Sequence, residues 1–142
     1  MSGVAVIRTL LAAAAAVTNL VPAARIKAGV LPLKTAMPAI GIMHVSAVRR
    51  NTTAMNETYT LVTERVQVTA MVQGSARAGG DYAALTELLA ASRQACPHQT
   101  GTIAGVVVSA ILPDIEGPDL DDPETDRLTR SQDMIVSWRE AR

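Results

Sequence analysis

The chain has 142 residues, of which 49% are hydrophobic and 18% are charged, so it fits one domain and is too apolar to be disordered. Thirteen basic and thirteen acidic side chains give no net charge, and the aromatic residues are one Trp and two Tyr. This composition excludes a strongly basic nucleic-acid-binding surface and the stacking platforms of single-strand binders. We predict a single domain, residues 1–142, with an aliphatic core.

The first half of the chain predicts one helix and three strands. Residues 3–20 have apolar side chains at helical spacing and many alanines, which favours one helix ended by Pro22. A short strand is predicted over 25–31, and a longer one runs from Ala39 to about Val48 with apolar side chains on both faces, which is typical of a strand near the middle of a sheet. Residues 62–72 alternate between apolar and polar side chains, which predicts one buried and one exposed face.

The second half predicts a helix and two strands after a glycine-rich break at 74–80. Asp81 is a candidate N-cap for a helix that ends at Pro97, and its buried face is predicted to carry Tyr82, Leu85, Leu88, Leu89 and Ser92. Residues 103–112 are rich in β-branched side chains and uncharged, as in one buried strand, and residues 130–139 alternate as a last strand. Strands that follow one another without helices favour antiparallel pairing. The predicted fold class is therefore α+β, a small, mainly antiparallel sheet with two helices packed on one face.

Charge is distributed unevenly along the sequence. Residues 1–100 have nine basic and four acidic side chains, and residues 101–142 have four basic and nine acidic ones. Seven acids, which we call the acidic arm, lie in thirteen residues without Lys or Arg: Asp114, Glu116, Asp119, Asp121, Asp122, Glu124 and Asp126. Prolines 113, 118 and 123 predict that this stretch lacks regular structure. Its glycine is not at the position that an EF-hand calcium loop requires, so we interpret the arm as a solvated or interface segment.

Few residues are suited to catalysis. His44, Cys96 and His98 are the candidates, and they define the alternative of a small enzyme or ligand-binding domain. A lone cysteine forms no internal disulfide, and no phosphate-binding loop is present in the sequence. We predict no enzymatic activity, no cofactor and no metal site.

Residues 49–60 are polar and have no helical stripe, which predicts a long hairpin tip or a mobile loop. Sequons at Asn51 and Asn56 would suit a secreted glycoprotein. However, the apolar run Leu10–Val17 is not preceded by the basic segment of a signal peptide and is shorter than a membrane span. We therefore expect a soluble intracellular protein without a membrane partner.

The order of these segments resembles the tail completion (tail terminator, head–tail joining) family of long-tailed bacteriophages and phage-like particles. A helix rich in Leu and Ala, residues 7–20, leads into Arg25-Ile26-Lys27-Ala28-Gly29-Val30-Leu31-Pro32, which is similar to the family's Arg-Ile-x-x-Gly-x-x-Pro segment. A Pro-x-Ile strand (38–40), an Arg-Val-Gln-Val strand (65–68) and a last segment with Ser-Gln-Asp (127–133) follow in the family's order. The resemblance covers nearly the whole chain.

This resemblance implies a structural role in a virion. Such proteins form rings, usually of six copies, that cap the head-proximal end of the tail tube, stop tube polymerisation and join the tail to the head connector. The implied partners are further copies of the chain, the tail tube protein and the connector (stopper) protein, while genome DNA passes through the ring without specific binding. The implied location is the virion tail, after assembly in the host cytoplasm, and no catalytic residues or cofactors are carried over.

Two segments are candidate contact surfaces in such a ring. The polar loop is a candidate contact with the tube or a neighbouring subunit and comprises Arg49, Arg50, Asn51, Thr52, Thr53, Met55, Asn56, Glu57 and Tyr59. The acidic arm would either line the lumen, where it repels DNA phosphates, or pair with Arg49, Arg50 or Arg65 of the adjacent subunit.

Overall fold

The computed structural model describes residues 2–51, 53, 56–74 and 82–142. In chain order, its elements are helices α1 (Gly3–Ala13) and α2 (Ala15–Thr18), a 3-10 turn (Ala23–Arg25), strands β1 (Ile26–Ala28), β2 (Ala39–Arg50) and β3 (Tyr59–Gln73), helix α3 (Tyr82–Ala95), and strands β4 (Gly101–Ile103), β5 (Val106–Glu116), β6 (Leu120–Asp122) and β7 (Arg127–Ala141). Within these residues the strands form one sheet in the order β1-β2-β3-β7-β5-β4, and β6 pairs with β7 beyond the end of β5. Every pair in this described sheet is antiparallel except β1 with β2. The predicted α+β class is confirmed.

Strands β3 and β7 form the middle of the sheet. They pair along their whole length, from Tyr59 opposite Ala141 to Gln73 opposite Arg127. Every second side chain of β3 is buried, as the alternation in its sequence predicts. Helices α1 and α3 pack on this buried side, where their leucines meet the valines of the strands in one core. We call the helix-covered side the inner face and the opposite side the outer face.

The predicted single helix over residues 3–20 is interrupted. Helix α1 begins with Ser2, whose hydroxyl accepts a hydrogen bond from the Ala5 backbone N–H. At Ala14 the backbone becomes extended, with φ −82° and ψ 115°, and α2 follows as a separate turn. The side chains of Val17 and Val21 beyond the break are fully buried. Burial of these two valines outweighs the helix propensity of the alanines, which is small per residue.

Strand β2 has a covered and an uncovered part. Its first four residues, Ala39–Ile42, are buried on both faces, and β1 pairs with it at positions 40–42. The remaining residues, 43–50, are almost all exposed, and no described strand pairs with their outer edge. The prediction of a strand near the middle of the sheet therefore holds only for the start of β2.

The predicted single strand over residues 103–112 is in fact a hairpin. Strands β4 and β5 are joined by Ala104 and Gly105, both with positive φ, 52° and 75°. A two-residue turn with positive φ at both positions suits the right-handed twist of paired strands. Val107 and Leu112 are exposed, because they lie on the outer face of the sheet rather than in the core.

The acidic stretch is more regular than its prolines predict. Strand β5 continues through Pro113 to Glu116, and β6 pairs with β7 after a short break at residues 117–119. Proline is tolerated here because β4 pairs only with the start of β5, so Pro113 lies in an edge strand. The predicted irregular arm is therefore wrong for β5 and β6.

Candidate assembly surfaces

The outer face of the sheet is not covered by the helices. The exposed apolar side chains on this face include Met43, Val48, Val107 and Leu112. Each pairs with an outward-pointing residue of β3 or β7, so the four side chains share this face. Exposed apolar side chains that share an uncovered sheet face make this face a candidate interaction surface. Sequence analysis missed this surface because the apolar positions come from different strands.

An ion cluster lies at the centre of the outer face. The Arg65 guanidinium contacts the Asp133 carboxylate at 3.0 Å and also the Asp114 carboxylate. Hydrogen bonds to both carboxylates raise the pKa of Arg65 above its ordinary value. The Arg-Val-Gln-Val and Ser-Gln-Asp segments thus meet in space, and the first acid of the acidic arm has a partner within its own chain. Arg65, a candidate for pairing with the acidic arm of an adjacent subunit, thus has carboxylate partners within its own chain.

The middle of the acidic arm also pairs internally. The Asp119 carboxylate accepts a hydrogen bond from Arg130 Nε at 2.6 Å and another from the Tyr82 hydroxyl at 2.9 Å. These two bonds hold the pKa of Asp119 below its ordinary value. Glu116 lies 3.6 Å from Arg93 and 3.8 Å from Arg130. Tyr82, which was predicted on the buried face of its helix, is exposed and binds Asp119 instead.

The tip of the arm, from Asp121 to Asp126, differs from its middle. The Asp122 carboxylate accepts a hydrogen bond from the Glu124 backbone N–H at 3.0 Å. Its pKa lies below the ordinary value, because Thr125 and the Glu124 N–H favour the charged carboxylate. Asp126 accepts a hydrogen bond from Gln73. In the part of the chain that the structure describes, the side chains of Asp121 and Glu124 have no ion-pair or hydrogen-bond partner. We call these two carboxylates the acidic tip.

The polar loop is anchored at both ends. Arg49 donates to Glu140 at 2.9 Å, which lowers the pKa of Glu140. Arg49, a candidate for pairing with a neighbouring subunit, therefore also has a partner within its own chain. Asn51 accepts a hydrogen bond from Thr60 at 2.8 Å. Arg49 and Arg50 end β2 and Tyr59 begins β3. The connecting loop is thus shorter than predicted. Thr52 and Met55 lie outside the described residues, and Thr53, Asn56 and Glu57 lie in the loop.

A concave site of about 390 Å³ opens at this end of the outer face, and we call it the arginine pocket. It is lined by Arg50, Glu57, Tyr59, Leu61, Ser109 and Arg139. The Arg139 guanidinium lies 4.7 Å from the centre of the Tyr59 ring, a cation–π distance. Three of the polar-loop candidates therefore converge on one pocket.

A buried carboxylate on the inner face was missed by sequence analysis. Glu64 is 2% exposed and accepts hydrogen bonds from the Gly3 backbone N–H at 2.6 Å and from Trp138 Nε1 at 3.1 Å. His44 Nδ1 lies 2.8 Å from its other oxygen. The start of a helix attracts negative charge, so Glu64 fixes α1 to the central strands. The sequence does contain a sign of this site, because Glu64 falls between Val62 and Val66 in the inward-pointing series of β3.

The catalytic alternative receives little support from the geometry. Cys96 is fully buried, and burial raises the pKa of its thiol to about 12, so the reactive thiolate is scarce at neutral pH. His44 is paired with Glu64, and His98 is exposed with its backbone N–H bonded to Ile111. Among the described residues no three His, Cys, Asp or Glu side chains are grouped as metal ligands. No helix in the described ranges is both long and apolar enough to span a membrane.

The fold has a counterpart among solved virion structures. A chain in the virion of a native gene transfer agent (GTA) particle superimposes with a TM-score of 0.68, and the match covers 96% of this chain and 93% of that one. The two sequences are 10% identical, so the likeness is one of fold. No known family model matches the chain. No curated protein matches it either.

Proposed function

We propose that this chain is a structural subunit of a phage-like virion, and specifically a tail completion protein. The observation that carries the proposal is the likeness of fold, over nearly the full length of both chains, to a subunit of the GTA virion. The order of sequence segments that resembles the tail completion family supports the finer assignment. The chain forms a ring of six at the head-proximal end of the tail tube, ends tube polymerisation and binds the connector.

The paired charges of the protein surface are compatible with this role. A ring through which DNA passes must not bind phosphates, because contacts from Lys and Arg create salt-dependent affinity. Arg49, Arg65 and Arg130 each have a carboxylate partner in the same chain. These internal pairs lower the capacity of the surface to hold DNA.

Electron microscopy of particles assembled without this chain tests the proposal. Filled heads beside detached tails of excessive length are expected, because the chain both stops the tube and joins it. Detached tails of normal length would limit the role to joining. Normal, complete particles would contradict the virion function altogether. A variant with Ala at His44, Cys96 and His98 is the control, and its particles should assemble normally.

A further inference from the structure

Two groups of opposite charge that have no ion-pair partner among the described residues lie at opposite ends of the sheet. At one end is the acidic tip, with Asp121 opposite Leu128 of β7. At the other end Arg139 of β7 lines the arginine pocket. Positions 128 and 139 of β7 are eleven residue steps apart, which is roughly 36 Å along a strand. Exposed charges that far apart are screened from each other at physiological salt, where the Debye length is about 8 Å.

The arginine pocket contains more cationic than anionic side chains. Arg50 lies opposite Leu61 and Leu61 lies opposite Arg139, so the three side chains form one row across β2, β3 and β7. In the described part of the chain, neither the Arg50 nor the Arg139 guanidinium has a carboxylate within ion-pair distance. Arg49, next to Arg50, is by contrast paired with Glu140. Glu57 also lines the pocket. With two arginines and one glutamate, the pocket has a net positive charge, and Tyr59 and Leu61 supply its apolar lining.

We propose that the acidic tip of one copy docks into the arginine pocket of a second copy. Asp121 and Glu124 supply the carboxylates, and Arg50 and Arg139 supply guanidiniums, which bind carboxylates through paired N–H donors. The occupant is a second copy because the same chain carries both halves of the contact and its own two halves cannot meet. This inference rests on the proposed ring, to which it assigns the contact between subunits.

The arrangement determines the symmetry of the assembly. A contact between two different surfaces of the same chain is head-to-tail, and such contacts close into rings when the rotation between neighbours divides a full turn. A two-fold dimer instead requires one surface that is complementary to itself. Asp121 shares its face with the inward-pointing Leu128, whereas the pocket lies on the outer face. Because the two halves of the contact are at opposite ends and on opposite faces, the arrangement favours cyclic assembly over a symmetric dimer.

A charge-swap experiment tests the contact. The pocket variant carries Arg50→Glu with Arg139→Glu, and the tip variant carries Asp121→Arg with Glu124→Arg. Each alone places like charges at the contact and should be monomeric in analytical ultracentrifugation. An equimolar mixture should regain the wild-type assembly, since each variant then meets its complement on both sides. Glu87→Arg, at an exposed position of α3, is the matched control and should assemble like wild type.

Glu57 provides a second test with the opposite sign. Its carboxylate lines the same pocket and repels an acidic occupant, so Glu57→Gln should lower the dissociation constant of the assembly severalfold. Raising the salt from 0.05 to 0.5 M should weaken wild-type association, and it should weaken association of the Glu57→Gln form more, because that pocket has the larger net positive charge.

Three results would overturn the contact. The first is that the pocket variant or the tip variant alone assembles like wild type. The second is that the mixture of the two stays monomeric. The third is that the wild-type chain is monomeric at about 1 mM, because its dissociation constant would then be too high for a specific contact. A pocket variant that loses affinity for DNA but assembles normally would likewise assign the pocket to phosphates. The proposed function is tested separately: detached, overlong tails in particles without the chain would uphold it even if the charge-swap variants assemble normally.

Discussion

Neighbouring residues of β3, Glu64 and Arg65, have opposite charges on opposite faces of the sheet. Glu64 is buried on the inner face, where N–H groups of a helix start, an indole and an imidazole surround it. Arg65 lies on the outer face, its side chain 30% exposed, between two carboxylates that water also reaches. The two residues therefore use charge differently. Glu64 joins helix α1 to the central strands and stabilises the fold, whereas Arg65 balances the charge of the outer face.

The largest expected effect is on the inner face. Glu64→Leu leaves the Gly3 N–H and the Trp138 indole N–H buried without an acceptor. We expect it to lower the free energy of unfolding by about 3 kcal/mol, measured by urea denaturation. Glu64→Gln keeps one acceptor oxygen and should lose less. A loss below about 1 kcal/mol in Glu64→Leu would show that water replaces the carboxylate.

A second inner-face group should have the next largest effect. Gln132 is 1% exposed, and its amide donates to the backbone carbonyls of Asp114 and Asp133, each at 3.0 Å. Gln132→Leu leaves both carbonyls without this donor and should cost about 1–3 kcal/mol. Hydrogen exchange should accelerate at residues 114–116, where β5 begins to diverge from β7. Ser131→Ala, the adjacent outer-face position, is the control and should leave that exchange unchanged.

The outer ion cluster should respond weakly to the matched change. Asp133→Asn removes one carboxylate from Arg65, but Asp114 remains as a partner. We expect a loss below about 1 kcal/mol, because exposed ion pairs contribute little, and 0.5 M salt should reduce it further. A loss equal to that of Glu64→Leu would remove the distinction between the two faces.

Acid should weaken the exposed carboxylate contacts gradually. The folded-state pKa values of Asp119, Asp122 and Glu140 lie below their ordinary values of 3.8, 3.8 and 4.5. Their contribution to stability is therefore complete above those values and is lost as the pH falls through the lower, folded-state ones. Urea midpoints measured from pH 6 downward should fall below about pH 5. Asp119→Asn should flatten this fall, and an unchanged slope would contradict the Arg130 contact.

The smallest effect is expected at Cys96. Because burial raises the pKa of its thiol to about 12, a thiol reagent at pH 8 should label the folded chain slowly and the urea-unfolded chain fast. Rapid labelling of the folded protein would indicate an accessible thiolate and would reopen the catalytic alternative.

Strands β3 and β7 were predictable because their side chains alternate between apolar and polar, and this alternation indicates which side chains are buried. The buried face of α3 was also correct for its leucines, though not for Tyr82. The charge partners were not predictable, because the Arg65 and Asp133 hydrogen bond joins residues 68 positions apart in the sequence. Charge counts could therefore identify the acidic arm but could not show that Asp114, Glu116 and Asp119 are paired internally. The break at Ala14 and the Ala104–Gly105 turn depend on tertiary packing and on backbone geometry, which composition does not reveal.

Strand β6 is short, yet its pairing with β7 has a consequence for recognition. Fixing the backbone of one residue costs about 1–2 kcal/mol of conformational entropy, and a disordered arm would incur that cost for every residue ordered on binding. Leu120, Asp121 and Asp122 are already held opposite Thr129, Leu128 and Arg127. A partner that binds β6 therefore contacts a backbone that is already ordered, and binding does not require this segment to fold at the same time.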